Sequence, residues 1–99
     1  MKIKPGASIK GLRPEMVLAC SIIDSLFIEA AIEFVITEGT GGKHGPGSLH
    51  YVGLAIDVRS RDIPGQVLPT LLADMKENLG AEFDVVMETD HIHVEFQPK

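Results

Sequence analysis

Two short clusters in this chain carry side chains that can do chemistry together. The first is Ser48-Leu49-His50-Tyr51-Val52-Gly53-Leu54-Ala55-Ile56-Asp57, with a histidine and an aspartate seven positions apart. The second, Glu88-Thr89-Asp90-His91-Ile92-His93, lies near the C-terminal end. All four histidines, His44, His50, His91 and His93, fall in or beside these clusters. Two imidazoles, a carboxylate and a spare carboxylate are what a catalytic zinc site requires: three ligands, an open position for water, and a base. The chain has no helical HExxH pair, so the common zinc-protease arrangement is excluded.

The bulk composition sets the frame for such a site. Ninety-nine residues suit one small domain, 1–99, with an irregular N-terminal arm over 1–13. A hydrophobic fraction of 44% and a charged fraction of 23% belong to a folded globular chain, not a disordered one. A net charge of −5 without a basic stripe argues against nucleic acid as a partner. The single cysteine, Cys20, rules out an internal disulfide framework and reads as a small buried hydrophobe. No apolar run follows the first six residues, so no signal peptide is read. The apolar stretch 16–35 is broken by Asp24, Glu29 and Glu33, which makes it a core helix and argues against membrane insertion. The expectation is a protein made in the cytoplasm, whose action outside needs release by other means. Oligomeric state is not legible.

The elements that must position the clusters follow from periodicity. Pro14 suits a first helical turn, and Met16, Ala19, Ile23, Leu26, Phe27, Ala30 and Ala31 recur at helical spacing, which predicts a helix over 14–33. Residues 34–37 read as a strand. The loop 39–47 holds five glycines and a proline in nine residues and cannot be regular structure. A strand is predicted over 52–58, with a turn or bulge at Gly53 bringing His50 toward Asp57. Pro64 opens a second helix with Asp62 as a possible cap, an apolar face from Val67 to Leu79, and Gly80 as its stop. Strands over 83–87 and 91–96 make a hairpin around Glu88-Thr89-Asp90. In the last strand Ile92, Val94 and Phe96 face the core, leaving His91, His93 and Glu95 on the other face. This order predicts an α+β fold, a mainly antiparallel sheet with helices packed on one face.

Together the clusters resemble those of the zinc D-alanyl-D-alanine carboxypeptidase and endopeptidase family, which shares its fold with the hedgehog signalling domain. The family pattern is S-x-H-x-x-G-x-A-x-D, then a carboxylate three residues before a final histidine, often within H-x-H. Ser48, His50, Gly53, Ala55 and Asp57 match the first part; Asp90, His91 and His93 match the second. The match extends over about 34–96, and Gly42-Lys43-His44 followed by Ser48-Leu49-His50-Tyr51 is similar to the short bacteriophage-type members.

The resemblance implies one zinc ion held by His50, Asp57 and His93. It implies hydrolysis of a peptide bond in peptidoglycan stem peptides, with action at the bacterial cell wall. Asp90 aligns with the general base, and Glu88 in the same turn is a rival. A shifted register, with His91 as ligand and Glu88 three before it, also stays open. His44 and His91 correspond to histidines that can donate to a developing oxyanion. The family's usual arginine after the first strand is missing from 37–43, so Lys43, Arg59 or Arg61 is left to hold a substrate carboxylate, which favours endopeptidase action. The loop 39–47 is expected to wall the cleft, with Lys43 and His44 pointing into it.

Plainer readings stand beside these. Ser48 fixes its loop through hydrogen bonds, Tyr51 stacks on substrate or packs on the sheet, and Asp57 caps a turn before Arg59. For the whole chain the alternatives are a non-catalytic metal-binding or interaction domain, or a phage structural component, on the same fold.

Overall fold

The computed structural model describes residues 1–98. Its elements are β1 (Lys2–Ile3), α1 (Pro14–Glu29), β2 (Val35–Glu38), a 3-10 turn (Leu49–Val52), β3 (Ala55–Arg59), α2 (Leu68–Leu79), β4 (Phe83–Met87) and β5 (His91–Phe96). The five strands form one sheet in the order β1-β2-β3-β5-β4. β1 runs parallel to β2 and every other neighbour pair is antiparallel, so the α+β expectation holds.

Strand alternation divides the sheet into two unlike faces. Ile36, Ile56, Val58, Val85, Ile92 and Val94 turn to one side, where they meet Met16, Ala19, Cys20, Ile23 and Phe27 of α1 and Leu71, Met75 and Leu79 of α2. The other face carries polar residues in register. Asp57 is paired directly with His93, and Arg59 with His91. On its second side Asp57 is the partner of Glu38, just past a β2 irregularity between Ile36 and Glu38. The outward row is therefore Glu38, Asp57, His93 and Val86.

Several boundaries differ from the sequence reading. α1 stops at Glu29, not residue 33. Ala31 takes a left-handed conformation (φ 59°) and Ile32 N–H bonds back to Phe27 O at 3.0 Å. This is a Schellman-type ending, built without the glycine that would announce it. β2 lies one residue later than predicted. Pro64 starts a turn, not the helix; α2 begins at Leu68, and Pro69 takes the first-turn place where a missing N–H is harmless. Asp62 caps nothing and pairs with Arg59 at 4.0 Å. The arm 1–13 is irregular except for β1, which pairs with Val35 and Ile36.

β3 also starts later than the predicted 52–58, at Ala55. Residues Leu49–Val52 form the 3-10 turn, and Gly53 ends it with φ 78°. A Cβ at Gly53 would come within 2.3 Å of Gly11 O, so both backbone angle and space demand glycine. This turn, rather than a bulged strand, folds His50 back over Asp57.

Candidate metal centre

Each ligand-type side chain is delivered by a different local device. Ser48 Oγ accepts from His50 N–H at 3.2 Å and so caps the 3-10 turn that aims His50 inward. Asp57 sits mid-strand in β3, and His93 stands opposite it in β5, a cross-strand pair whose side chains meet on one face. His50 is 3% exposed and Asp57 7% exposed, whereas His93 is half-buried. One ligand atom from each of the three lies within 4.8 Å of the others.

Hydrogen bonds fix which atom each residue offers. His50 Nδ1 lies 2.9 Å from Gly39 O. A carbonyl only accepts, so Nδ1 carries the proton and donates, and Nε2 is left with its lone pair. That Nε2 faces Asp57 Oδ1 at 3.2 Å. His93 places Nδ1 at 2.9 Å from the same oxygen and Nε2 at 2.7 Å from Glu95 Oε1. Two imidazole nitrogens thus converge on one buried carboxylate oxygen, with their outer nitrogens held by a carbonyl and a carboxylate. Outer partners of this kind fix tautomer and ring orientation in metal sites.

The donor set passes a simple test of fit. With Nδ1 of a neutral His50 donating to Gly39, the short contact between Nε2 and Asp57 Oδ1 sets lone pair against lone pair. In a site this dry it needs a cation between or beside the two groups, a metal ion or a proton. The His50, Asp57 and His93 triad can therefore hold a metal ion.

The protons follow the same geometry in the metal-free protein. Burial pushes the Asp57 carboxyl up, but its contacts with the His50 and His93 imidazoles and the nearby His91 outweigh it, holding Asp57 well below the usual carboxylate range. The hydrogen bond to Asp57 raises His93; burial opposes it and Glu95 adds to it, and the imidazole is pushed up to about 9. His93 between two carboxylates is then a cation at neutral pH.

Around the triad the remaining histidines take distinct places. His44 stacks flat on His50, with ring centroids 4.0 Å apart and planes 4° apart. Its Nε2 donates to Gly41 O at 3.0 Å, so it buttresses the ligand and does not point into the cleft. His91 reaches toward Asp57 Oδ1 with Nε2 at 3.6 Å and donates from Nδ1 to Asp90 Oδ1 at 2.7 Å. Asp90 is otherwise exposed at the hairpin tip. Glu88 is exposed in the same turn, and its backbone N–H bonds to His91 O at 2.8 Å; its side chain makes no hydrogen bond or ion pair with the triad.

A cleft of 450 Å³ opens beside the triad, lined by Lys4, Thr37, Glu38, Asp57, Arg59, Arg61, Asp90 and His91. Lys43 is exposed on the loop and is not among its lining residues, so the expectation that 39–47 walls the cleft gives way. The loop instead covers the His50 side, with Gly39 O and the His44 ring as its contacts. Arg59 and Arg61 reach the cleft directly. Tyr51 exchanges hydrogen bonds with the His44 backbone, its hydroxyl donating to His44 O at 2.8 Å. A larger groove of 610 Å³ lies between the end of α2 and β4 and shares only Glu95 with the site.

The sequence reading passed over two contributors. Glu95 was placed on the correct face, and its i,i+2 spacing from His93 was the available signal. The Gly39 carbonyl had no signal, because any residue supplies one. No protein-family model, no curated protein and no solved structure matches this chain.

Proposed function

We propose that this protein is a zinc-dependent peptidase that hydrolyses a peptide bond in the stem peptides of peptidoglycan. The observation that carries the reading is the convergence of His50 Nε2 and His93 Nδ1 on Asp57 Oδ1, at 3.2 and 2.9 Å, with each outer ring nitrogen already engaged. Two imidazoles and one carboxylate are a donor set that suits zinc, and three protein ligands mark a catalytic rather than a closed structural site. When bound, the ion supplies Lewis acidity toward a carbonyl oxygen and makes water ionisable near neutral pH.

The chain's own residues account for the proton. Asp90 accepts from His91 Nδ1, which leaves His91 Nε2 facing the cleft and Asp57. That nitrogen can take a proton from water and return it to the leaving amine, with Asp90 holding the ring. In this reading His91 is the base and Asp90 positions it. Lys4, Arg59 and Arg61 line the same cleft and supply positive charge for a peptide bearing free carboxylates, in a chain of net charge −5.

Zinc-loaded protein incubated with purified peptidoglycan should release muropeptides bearing a new amine and a new carboxyl, read by mass spectrometry. Intact peptidoglycan after incubation with fully metallated protein rejects the peptidase reading. One observation favours a second reading, a metal-binding interaction domain: the Asp90 side chain is 85% exposed and touches His91, not the triad.

A further inference from the structure

The outward face of α1 is unexplained by the fold and by the proposed site. A helix on the surface of a small domain normally sets charged residues opposite its core stripe. The core stripe of α1 is Met16, Ala19, Cys20, Ile23 and Phe27. At about 100° per residue, the opposite side carries Pro14, Val17, Leu18, Ser21, Ser25, Ile28 and, in the last turn, Glu29. Glu29 is the one charged residue in that group, and it stands at the C-terminal end. Val17, Leu18 and Ile28 are 55%, 62% and 69% exposed. Val17 and Leu18 adjoin at one end and Ile28 stands at the other, a grouping of large apolar side chains in water that an interaction site accounts for.

Two further observations say what covers it. Along the face the sizes run large, small, small, large: Leu18, Ser21, Ser25, Ile28. The spacing reads the same in both directions, which is what a twofold contact needs, because one patch must complement itself. Two antiparallel copies set Leu18 of one against Ile28 of the other, and the serines allow close approach between. The charges agree. Lys10 and Arg13 precede the helix and make no ion pair among the described residues. Its last turn has no basic residue and ends on Glu29, while Glu33 beyond is paired with Lys2 at 3.4 Å. Carboxylates at the negative end of a helix are unfavourable within one copy. Antiparallel pairing brings Arg13 of the second copy to that end, while parallel pairing sets like ends together.

We propose that this protein self-associates as a twofold dimer, α1 against α1 in antiparallel. A contact confined to one face of one helix is smaller than the roughly 800 Å² per partner of a standard interface, so the pair is a weak dimer. α1 lies on the sheet face opposite the candidate metal centre, so the dimer leaves both sites open. The inference is independent of the peptidase reading.

Sedimentation velocity of the full chain across a concentration series tests it. The unaltered protein should pass from monomer to dimer as concentration rises. Leu18→Lys and Ile28→Lys should each raise the dimer Kd by more than about tenfold, with unchanged far-UV circular dichroism and metal uptake. Arg13→Glu should weaken the dimer, and adding Glu29→Arg should restore it; a parallel pair gives no such rescue. The proposal is overturned by a chain that stays monomeric at every concentration, whether or not it floats with phosphatidylcholine vesicles. It is equally overturned if the dimer survives Leu18→Lys but is lost in Val86→Lys, which would place the contact on the exposed edge strand β4.

Discussion

The carbonyl oxygen of Gly39 stands 2.9 Å from Nδ1 of His50, eleven residues further along the chain. The bond leaves Nε2 as the only nitrogen of His50 with a free lone pair, and so decides which atom can bind a metal. Gly39 is held by the neighbouring arm. Thr40 N–H donates to Ser8 O at 2.8 Å, and a Cβ on Gly39 would come within 2.2 Å of that same Ser8 oxygen. Gly39→Ala must therefore push the loop off the arm and shift the carbonyl. It should weaken metal affinity by about 10–100-fold, the usual cost of a lost outer partner. Gly45→Ala, where a Cβ meets nothing within 4 Å, should leave affinity unchanged. Competition with a chelating dye separates the two variants.

Glu95 plays the matching part for His93. Its Oε1 lies 2.7 Å from Nε2, and both residues stand on the same face of β5. Glu95→Gln keeps the size but removes the charge that makes the ring basic and well oriented. We expect metal affinity to fall by about tenfold or more while stoichiometry stays at one per chain. His93→Ala should instead abolish stoichiometric binding. Equal behaviour of the two variants in metal titration would remove the distinction between ligand and outer partner.

Metal removal should show in thermal stability. An ion that binds the folded state alone adds about 2.7 kcal/mol at one hundred times its Kd. For a domain of this size each kcal/mol moves Tm by about 4–8 °C, so a chelator should lower Tm by about 10–20 °C. His50→Ala should melt at the same temperature with or without chelator. A shift that persists in that variant would place the ion elsewhere.

The legibility of this chain depended on whether a signal was local. Alternation in β5 placed Ile92 and Val94 inward and His91, His93 and Glu95 outward, because strand period needs only neighbours. The core stripe of α1 was readable for the same reason. Its end was not, because Ala31 adopts a left-handed conformation that tertiary packing imposes on a residue giving no warning. β1 was invisible: two residues, Lys2 and Ile3, become a strand only because Val35 and Ile36 lie alongside. A turn at Gly53 was legible from the glycine itself, but its packing against the backbone of Gly11, far away in sequence, was not. Residue type and spacing pointed to the two clusters, while the choice of His50, Asp57 and His93 came from their resemblance to a family pattern, with His91 open as a rival ligand. The loop's position was not, since glycine-rich composition says that a segment is irregular without saying where it lies.

Proton competition gives a pH dependence with a definite sign. In metal-free protein His93 is raised from 6.5 to about 9 by Asp57 and Glu95. A raised folded-state pKa stabilises fully below 6.5, and that contribution is lost as pH rises toward 9. Asp57 is held low, so its contribution is present above its ordinary 3.8 and is lost as pH falls below it. Metal-free stability should therefore be greatest between these limits. Metal affinity runs the other way, because the ion must displace the proton from His93 Nδ1. It should climb up to tenfold per pH unit toward pH 9 and then level off. A flat affinity between pH 6.5 and 9 would show that His93 is not a ligand.

The hairpin tip decides between the two candidate bases. Asp90 Oδ1 holds His91 Nδ1 at 2.7 Å, and His91 Nε2 stands 3.6 Å from Asp57 Oδ1. Glu88 shares the turn yet contributes only a backbone bond to His91 O. Asp90→Asn keeps the shape and the metal but cannot stabilise a His91 imidazolium, so turnover on peptidoglycan fragments should drop by about 10²–10⁴-fold, the range for general acid–base assistance. KM should change little, since Asp90 acts on the proton and not on binding. His91→Ala should match it within about tenfold, and the double variant should be no worse than the poorer single one, because residues acting as a unit are not additive. Glu88→Gln should retain nearly full turnover. The opposite ranking, with Glu88→Gln inactive and Asp90→Asn active at full metal loading, would transfer the base to Glu88 and leave the Asp90–His91 pair as a brace for the hairpin.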